Sequence, residues 1–172
     1  MKKRYLSLFL FFAVLSGFLV AQESGNAWRI ATTQELKSVI PMRAPVGSER
    51  IETEFRSASG VTDGKGKFIA GVVLITAGYS ADGKYSHFFL AQVPLSVGSF
   101  TLRPGQYAIG WHRQDDMLAV SFYEAATGRL IGTVDAKREA GSRVDSFRMT
   151  PPGNNPRIYI GRFSFVYTVA PN

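Results

Sequence analysis

Residues 107–136 contain three short segments in which apolar and polar side chains alternate, separated by two turn-like stretches. Side chains of a β-strand point alternately to opposite faces, so every second residue shares a face. The apolar sets of the first two segments are Tyr107, Ile109, Trp111, Leu118, Val120 and Phe122. Spacings of three and four, typical of a helix, do not recur. The pattern therefore predicts a three-stranded antiparallel meander with one buried face.

A two-residue turn at Gln114-Asp115 would join the first two strands and place Trp111 opposite Leu118. In that register both apolar sets lie on one face, whereas a slip of one residue would separate them. An apolar sheet face has to be covered by another layer. The meander therefore predicts further strands packed against it.

The remaining strand signals are short and closely spaced, and they sum to about eight strands. Residues 68–77 are apolar on both faces, which is typical of a covered strand; a buried helix is the alternative, and the β-branched residues argue against it. Thr32 followed by Glu35 indicates a capped helix that Pro41 ends. We predict an all-β fold, an antiparallel β-sandwich with a closed β-barrel as the alternative, with at most one short N-terminal helix.

The predicted organisation has three parts. Residues 1–21 form a signal peptide, residues 22–48 a polar or extended segment with the short helix, and residues 49–169 a single all-β domain. The basic start at Lys2-Lys3-Arg4, the short apolar run and the small residue Ala21 are typical of a cleaved secretory signal; an uncleaved anchor is the alternative. We expect a bacterial protein that engages the export machinery and resides in the periplasm or outside the cell, with no transmembrane segment after cleavage.

Charge and cysteine content exclude several functions. The chain has 20 Lys and Arg against 13 Asp and Glu, and three of the basic residues lie in the predicted signal, which leaves +4 of the formal +7. The basic residues are scattered, so no nucleic-acid partner is expected. Cysteine is absent, which excludes disulfides, thiol catalysis and cysteine-bound metal or haem.

The segment Ser99-Phe100-Thr101-Leu102-Arg103-Pro104-Gly105-Gln106-Tyr107 resembles a phrase of transthyretin-like and carboxypeptidase-regulatory β-sandwich modules. In those modules a Pro-Gly turn leads into a strand that begins near a tyrosine. The resemblance covers these nine residues, and it implies a non-catalytic β-sandwich.

Histidine and carboxylate side chains are the candidates for chemistry. His87 and His112 could bind a metal with a nearby carboxylate, although two independent surface histidines fit the spacing better. Glu52 and Glu54 lie on one strand face with arginines, which favours a surface ion network over paired catalytic acids. Ser86 and His87 would point to opposite faces of a strand, so we do not expect a nucleophile and base pair.

Aromatic side chains provide the best candidate for binding. Packing accounts for most of them, but some could line a pocket or stack on a sugar. The candidate ligand-binding residues are Tyr107, Trp111, Tyr159, Phe163, Phe165 and Tyr167. We predict that Tyr159, Phe163, Phe165 and Tyr167 share one face of a last strand over residues 157–169.

Three functions remain open on this evidence. The first is an exported, non-catalytic binding or interaction module whose partner is a protein, a glycan or a small apolar ligand. The second is a periplasmic carrier that holds a small ligand inside a barrel. The third is an enzyme or metal site that uses His112 or His87 with nearby carboxylates. We expect no cofactor, and the first function is the one that the residues favour.

Overall fold

The computed structural model describes residues 28–170, and the predicted signal peptide at residues 1–21 lies outside this range. This part of the chain contains one helix and thirteen strands. They are β1 (Arg29–Ile30), α1 (Thr33–Val39), β2 (Arg43–Val46), β3 (Glu49–Thr62), β4 (Phe68–Leu74), β5 (His87–Ala91), β6 (Leu95–Val97), β7 (Phe100–Leu102), β8 (Gly105–Gln114), β9 (Met117–Glu124), β10 (Leu130–Arg138), β11 (Asp145–Met149), β12 (Arg157–Gly161) and β13 (Phe163–Val169). The predicted all-β class and the short helix are confirmed.

The strands form a sheet that nearly closes on itself, in the order β1-β3-β4-β5-β8-β9-β10-β13-β12-β11 with antiparallel neighbours. The hairpin of β6 and β7 pairs with the end of β13. Strand β11, at the end of this order, packs back against β3 and β4. Of the two predicted architectures, the structure therefore corresponds to the barrel. The count exceeds the predicted eight because four strands have four residues or fewer, and because the predicted last strand is divided into two.

The central meander forms from β8, β9 and β10, but its first register differs from the prediction by two residues. Trp111 pairs with Val120, and Ile109 pairs with Phe122. The turn consists of Asp115 and Asp116, and Asp115 takes a positive φ of 51° that aspartate tolerates better than most residues. A shift of two keeps every side chain on its predicted face, so the apolar set still points into the barrel.

The predicted last strand over residues 157–169 is wrong: it is a hairpin of β12 and β13. Gly161 has a φ of 63°, a conformation that glycine adopts without strain, and Ile160 pairs with Phe163 across the turn. Residues that pair across two antiparallel strands lie on the same face of the sheet. Tyr159 pairs with Ser164, and both lie on the outer face. Phe163 pairs with Ile160, and Phe165 pairs with Ile158. All four side chains lie on the inner face.

An outer layer covers one side of the barrel. It consists of α1, β2 and the segment 75–86, and it packs on the outward side chains of β3, β4 and β5. The capping box at its start forms as predicted, since Glu35 N donates to Thr32 Oγ1 and Thr32 N donates to a Glu35 carboxylate oxygen. Strand β4 is consequently buried on both faces, as its apolar sequence predicts. No helix among residues 28–170 has both the length and the apolar character to cross a membrane.

Aromatic side chains fill the barrel interior. Phe122 lies at the centre, with ring centroids of Phe89, Phe100 and Phe165 at 5.6, 5.8 and 5.9 Å. These edge and tilted contacts add to the gain from burial itself. The interior core is one continuous cluster from the β3 side to β13.

No backbone ladder joins β11 to β3 in the described part of the chain, so side chains close the barrel. Met149 N donates to Ser59 Oγ at 3.0 Å, and the Phe147 ring lies directly over Gly71. A Cβ atom at residue 71 would lie within 2.5 Å of Phe147 Cε1. Glycine is therefore required there for β11 to approach β4. We call this set of contacts the seam.

We predict that Gly71→Ala destabilises the protein by about 1–3 kcal/mol, the usual cost of overpacking a filled core. Chemical denaturation followed by circular dichroism would measure the loss. Gly105→Ala is the matched control, because a Cβ there would make only an ordinary contact of 3.5 Å with Tyr107 Oη. Equal losses for the two variants, or a Gly71→Ala loss undiminished in a Phe147→Leu background, would contradict the role of the Phe147 contact.

Candidate functional site

The inner side chains leave an open cavity at one end of the barrel. This end contains the last residues of β4, β8, β10 and β12 and the first residues of β5, β9, β11 and β13. The cavity has a volume of about 400 Å³, within the range of small-molecule sites. We call it the mouth; its lining residues are Val73, Ser86, His87, Trp111, Arg113, Leu118, Ser146, Ile160, Gly161 and Phe163. Trp111, Phe163 and His87, three of the predicted site residues, meet here.

His87 lies at the floor of the mouth and is 4 % exposed. Its Nε2 lies 3.0 Å from the carbonyl oxygen of Ser146, and its Nδ1 lies 2.8 Å from Ser86 Oγ. A carbonyl oxygen only accepts hydrogen bonds, so Nε2 carries the proton and Nδ1 accepts from the hydroxyl. Burial lowers the pKa of His87 to about 4. The ring is consequently neutral at pH 7 and links β5 to β11.

The prediction that Ser86 and His87 point apart is wrong. Ser86 immediately precedes β5 and so lies outside the regular alternation, which lets its hydroxyl turn back to the imidazole. The same hydroxyl lies 3.2 Å from the carbonyl oxygen of Ile109. An imidazole with a pKa of about 4 is a weak general base at neutral pH. These contacts therefore fit a structural link better than an activated nucleophile.

His112 lies on the opposite face of the sheet from His87, so the two histidines do not form the predicted metal pair. His87 pairs with Ile109 across β5 and β8, and His112 follows Ile109 by three residues, an odd number. His112 is exposed on the outer face, and His87 is inside the barrel. No group of three or more metal-ligating side chains occurs among residues 28–170.

Trp111 and Arg113 form one wall of the mouth, on the inward face of β8. Trp111 is 46 % exposed because β8 extends here beyond the filled core. Arg113 Nε donates to the backbone oxygen of Asp115 at 3.2 Å. Within residues 28–170 its two terminal nitrogens have no hydrogen-bond partner. We did not predict Arg113, although the alternation that groups Tyr107, Ile109 and Trp111 also includes it.

Three of the predicted aromatic residues are core or structural. Tyr107 and Tyr167 are buried, and their hydroxyls donate to the backbone oxygens of Arg103 and Thr150, both at 2.6 Å. Phe165 is also buried and packs edge-on against Phe122. The two hydroxyls are thus satisfied inside the fold. None of the three lines the mouth: Tyr107 lies beside a cavity of about 730 Å³, and Phe165 and Tyr167 lie beside another of about 420 Å³.

Tyr159 lies apart from the other five aromatic candidates, on the outer face. The Arg148 guanidinium carbon lies 3.5 Å from the centre of its ring, and Arg148 Nε also donates to Asp145 at 2.8 Å. This stack covers the ring with a cation that is already paired. The predicted aromatic row along residues 157–169 is therefore divided between the interior, the mouth and the outer face.

The carboxylate candidates form surface interactions. Glu52 accepts from Arg43 at 2.7 Å and from the Tyr79 hydroxyl at 2.7 Å, and the Tyr79 hydrogen bond lowers the pKa of Glu52. Glu54 lies 3.5 Å from Arg56. The predicted surface ion network is present, and the arginine that pairs with Glu52 is Arg43 of the neighbouring strand β2.

A second, larger cavity of about 730 Å³ lies at the other end of the barrel, beside Tyr107. Its charged lining residues are Arg103, Glu124 and Arg129. Glu124 and Arg129 lie 3.7 Å apart and pair with each other. This cavity has neither the exposed tryptophan nor the buried polar floor of the mouth, so the mouth is the stronger candidate.

Comparison with known proteins does not assign the site. No protein-family model matches the chain, and neither a curated protein nor a solved structure matches it. The function therefore has to be inferred from the geometry of the mouth.

We predict that His87 makes the protein less stable as the pH falls from 6.5 to 4. Its folded pKa of about 4 lies below its ordinary value of 6.5, so in this interval the unfolded chain binds the proton first. Stability is unaffected by His87 above pH 6.5, and the loss reaches about 3 kcal/mol near pH 4. Urea denaturation at a series of pH values would measure it.

Carboxylates also titrate in this range, so the test compares variants. His87→Gln keeps an N–H donor for Ser146 and should lose this part of the pH dependence. His112→Gln, at an exposed site, should retain the wild-type slope. Identical pH profiles for His87→Gln and the wild type would show that His87 is not the group responsible.

Proposed function

We propose that the chain is an exported, non-catalytic binding module and that its ligand binds in the mouth of the barrel. The observation that carries this proposal is the position of Trp111: a large aromatic side chain, 46 % exposed, beside an apolar cavity of about 400 Å³. Exposed aromatic side chains beside a concave apolar surface are characteristic of binding sites.

Exposed apolar side chains near the mouth also support binding at this end of the barrel. Three of the seven large apolar side chains that are exposed among residues 28–170 lie near this end, namely Ile75, Trp111 and Val144, which are exposed by 46, 46 and 58 %. Exposure of large apolar residues costs solvation free energy, at about 25 cal/mol for each Å². A ligand or partner that covers this end would recover part of it.

Binding without chemistry is favoured by the state of the polar groups. His87 is neutral and both ring nitrogens are engaged, and Ser86 is bonded to His87. Among the described residues that line the mouth there is no carboxylate to serve as a general acid or base. The proposed role of the mouth is therefore recognition.

Carriage of a ligand inside a closed barrel is less well supported. The Phe89, Phe122 and Phe165 rings occupy the interior at centroid distances below 6 Å. Interiors packed in this way leave few voids larger than a water molecule. A carried ligand would accordingly lie above this core, in the mouth.

Export is the part of the proposal that rests on sequence. The basic start, apolar run and small residue at Ala21 support it, and a cysteine-free chain is compatible with an oxidising compartment. The small excess of basic residues again favours a partner other than nucleic acid.

The proposal predicts that protein purified from its own host carries a bound small molecule. Native mass spectra before and after denaturation should differ by the mass of that ligand. Trp111→Ala should reduce the occupied fraction at least tenfold, because it removes one wall of the site. Val166→Ala is the matched control, since Val166 is also 46 % exposed but lies away from the mouth.

Unchanged occupancy in Trp111→Ala would place the ligand elsewhere on the protein. A bare mass in both conditions would contradict the small-ligand form of the proposal and would direct attention to a protein or glycan partner. The same spectra would show whether the chain begins at Gln22.

A further inference from the structure

We infer that the ligand of the mouth is a small carboxylic acid with a flat apolar body, whose carboxylate pairs with Arg113 and whose body stacks on Trp111. This inference rests on the proposed binding function and specifies the chemistry of its ligand. It follows from the charge of the lining, the free hydrogen-bonding groups and the shape of the walls.

Arg113 is the only formally charged residue among the described residues that line the mouth. Its Nε is engaged by the Asp115 backbone oxygen, which holds the guanidinium in place. The two terminal nitrogens have no partner within residues 28–170, and Arg113 forms no ion pair there. A guanidinium in this state presents donors to an incoming acceptor.

Among residues 28–170, the nearby acidic residues form no ion pair with Arg113. Asp115 and Asp116 are on the adjacent turn, but neither of them is a lining residue of the mouth. His87, the other lining residue with an ionisable side chain, is neutral at pH 7 because it is buried. The net charge of the lining is thus +1, which complements a monoanion.

The remaining walls select an apolar body. Val73, Leu118 and Ile160 are aliphatic, and Phe163 and Trp111 are aromatic. Trp111 presents its ring at the open side, where a planar group can stack on it. A strongly polar body, such as a sugar, would find few hydrogen-bond partners here, because five of the lining side chains are apolar and the Ser86 hydroxyl is already bonded to His87.

A carboxylate fits this arrangement better than a phosphate. The planar guanidinium fork matches two carboxylate oxygens, and the pair is neutral overall. A phosphate dianion would need a second cation or several backbone donors, and the lining contains only one cationic side chain. The mouth is therefore assigned to a monocarboxylate.

Three probes with the same phenyl group and similar chains, but with an anionic, a neutral or a cationic end, would test this assignment: 4-phenylbutyrate, 4-phenyl-1-butanol and 4-phenylbutylamine. Each is titrated into the full protein, and the ¹⁵N-labelled indole N–H signal of Trp111 reports binding at the mouth. The signal of Trp28, the other tryptophan, serves as the internal reference. We expect the carboxylate to bind about tenfold more tightly than the alcohol and the amine to bind more weakly than the alcohol.

Variants test the carboxylate contact and the apolar contact separately. Arg113→Gln should remove the tenfold preference for the carboxylate over the alcohol. Arg103→Gln, at the other end of the barrel, is the matched control and should retain the preference. Phe163→Leu should weaken all three probes to a similar degree, because it reduces the apolar wall.

The outcomes distinguish this inference from the proposed function. Equal affinity of the three probes at Trp111 would overturn the carboxylate assignment and support an uncharged ligand in the same mouth. A preference that persists in Arg113→Gln would also overturn it. Failure of every probe to shift the Trp111 signal would contradict both this inference and the proposed binding function.

Discussion

The barrel depends on the seam, where side chains rather than a backbone ladder attach the free edge of β11 to β3, β4 and β5. Phe147 packs over Gly71, Met149 N donates to Ser59 Oγ, and His87 Nε2 donates to the carbonyl oxygen of Ser146. A backbone ladder would close the sheet through many equivalent bonds, whereas the seam depends on a few specific residues. The position of β11 in turn determines where Ser146 lies and therefore where the mouth has its floor.

The mouth follows from how far the packed aromatic core extends. Phe89 and Phe122 fill the middle of the barrel, and the rings end below the level of Trp111. Strand β8 continues past this level to Gln114, and its last inward side chains, Trp111 and Arg113, are exposed. Because β8 is longer than the packed core beneath it, an apolar wall with one arginine remains in contact with solvent. Burial of His87 beneath it provides a floor without a charge.

Most of the secondary structure could be predicted because it depends on local chemistry. The Thr32 and Glu35 capping box, the two-sided apolar strand β4 and the inward set of the meander all result from residues close in sequence. The hairpin at Gly161 was missed because a single glycine in an alternating segment is compatible with a bend, a bulge or a turn. Cross-strand pairing decides among them, and it is not a local property.

The candidate site was predictable only in part, for the same reason. Alternation placed Trp111 on the inner face, but exposure at the end of a barrel depends on how many strands enclose that level. The Ser86, His87 and Ser146 contacts join residues that are up to 59 positions apart. His87 and His112 lie on opposite faces because of the register between β5 and β8. The connection between these two strands is too long for the sequence to determine that register.

The amino-acid sequence by itself determined the all-β class, the capped helix and the inward faces of β8 and β9, since these follow from periodicity and short-range hydrogen bonding. Closure of the sheet, the division of the aromatic residues between core and mouth, and the neutral buried histidine were decided by the tertiary structure. Each of these depends on which distant strands meet, and the sum of many weak contacts across the barrel selects that arrangement.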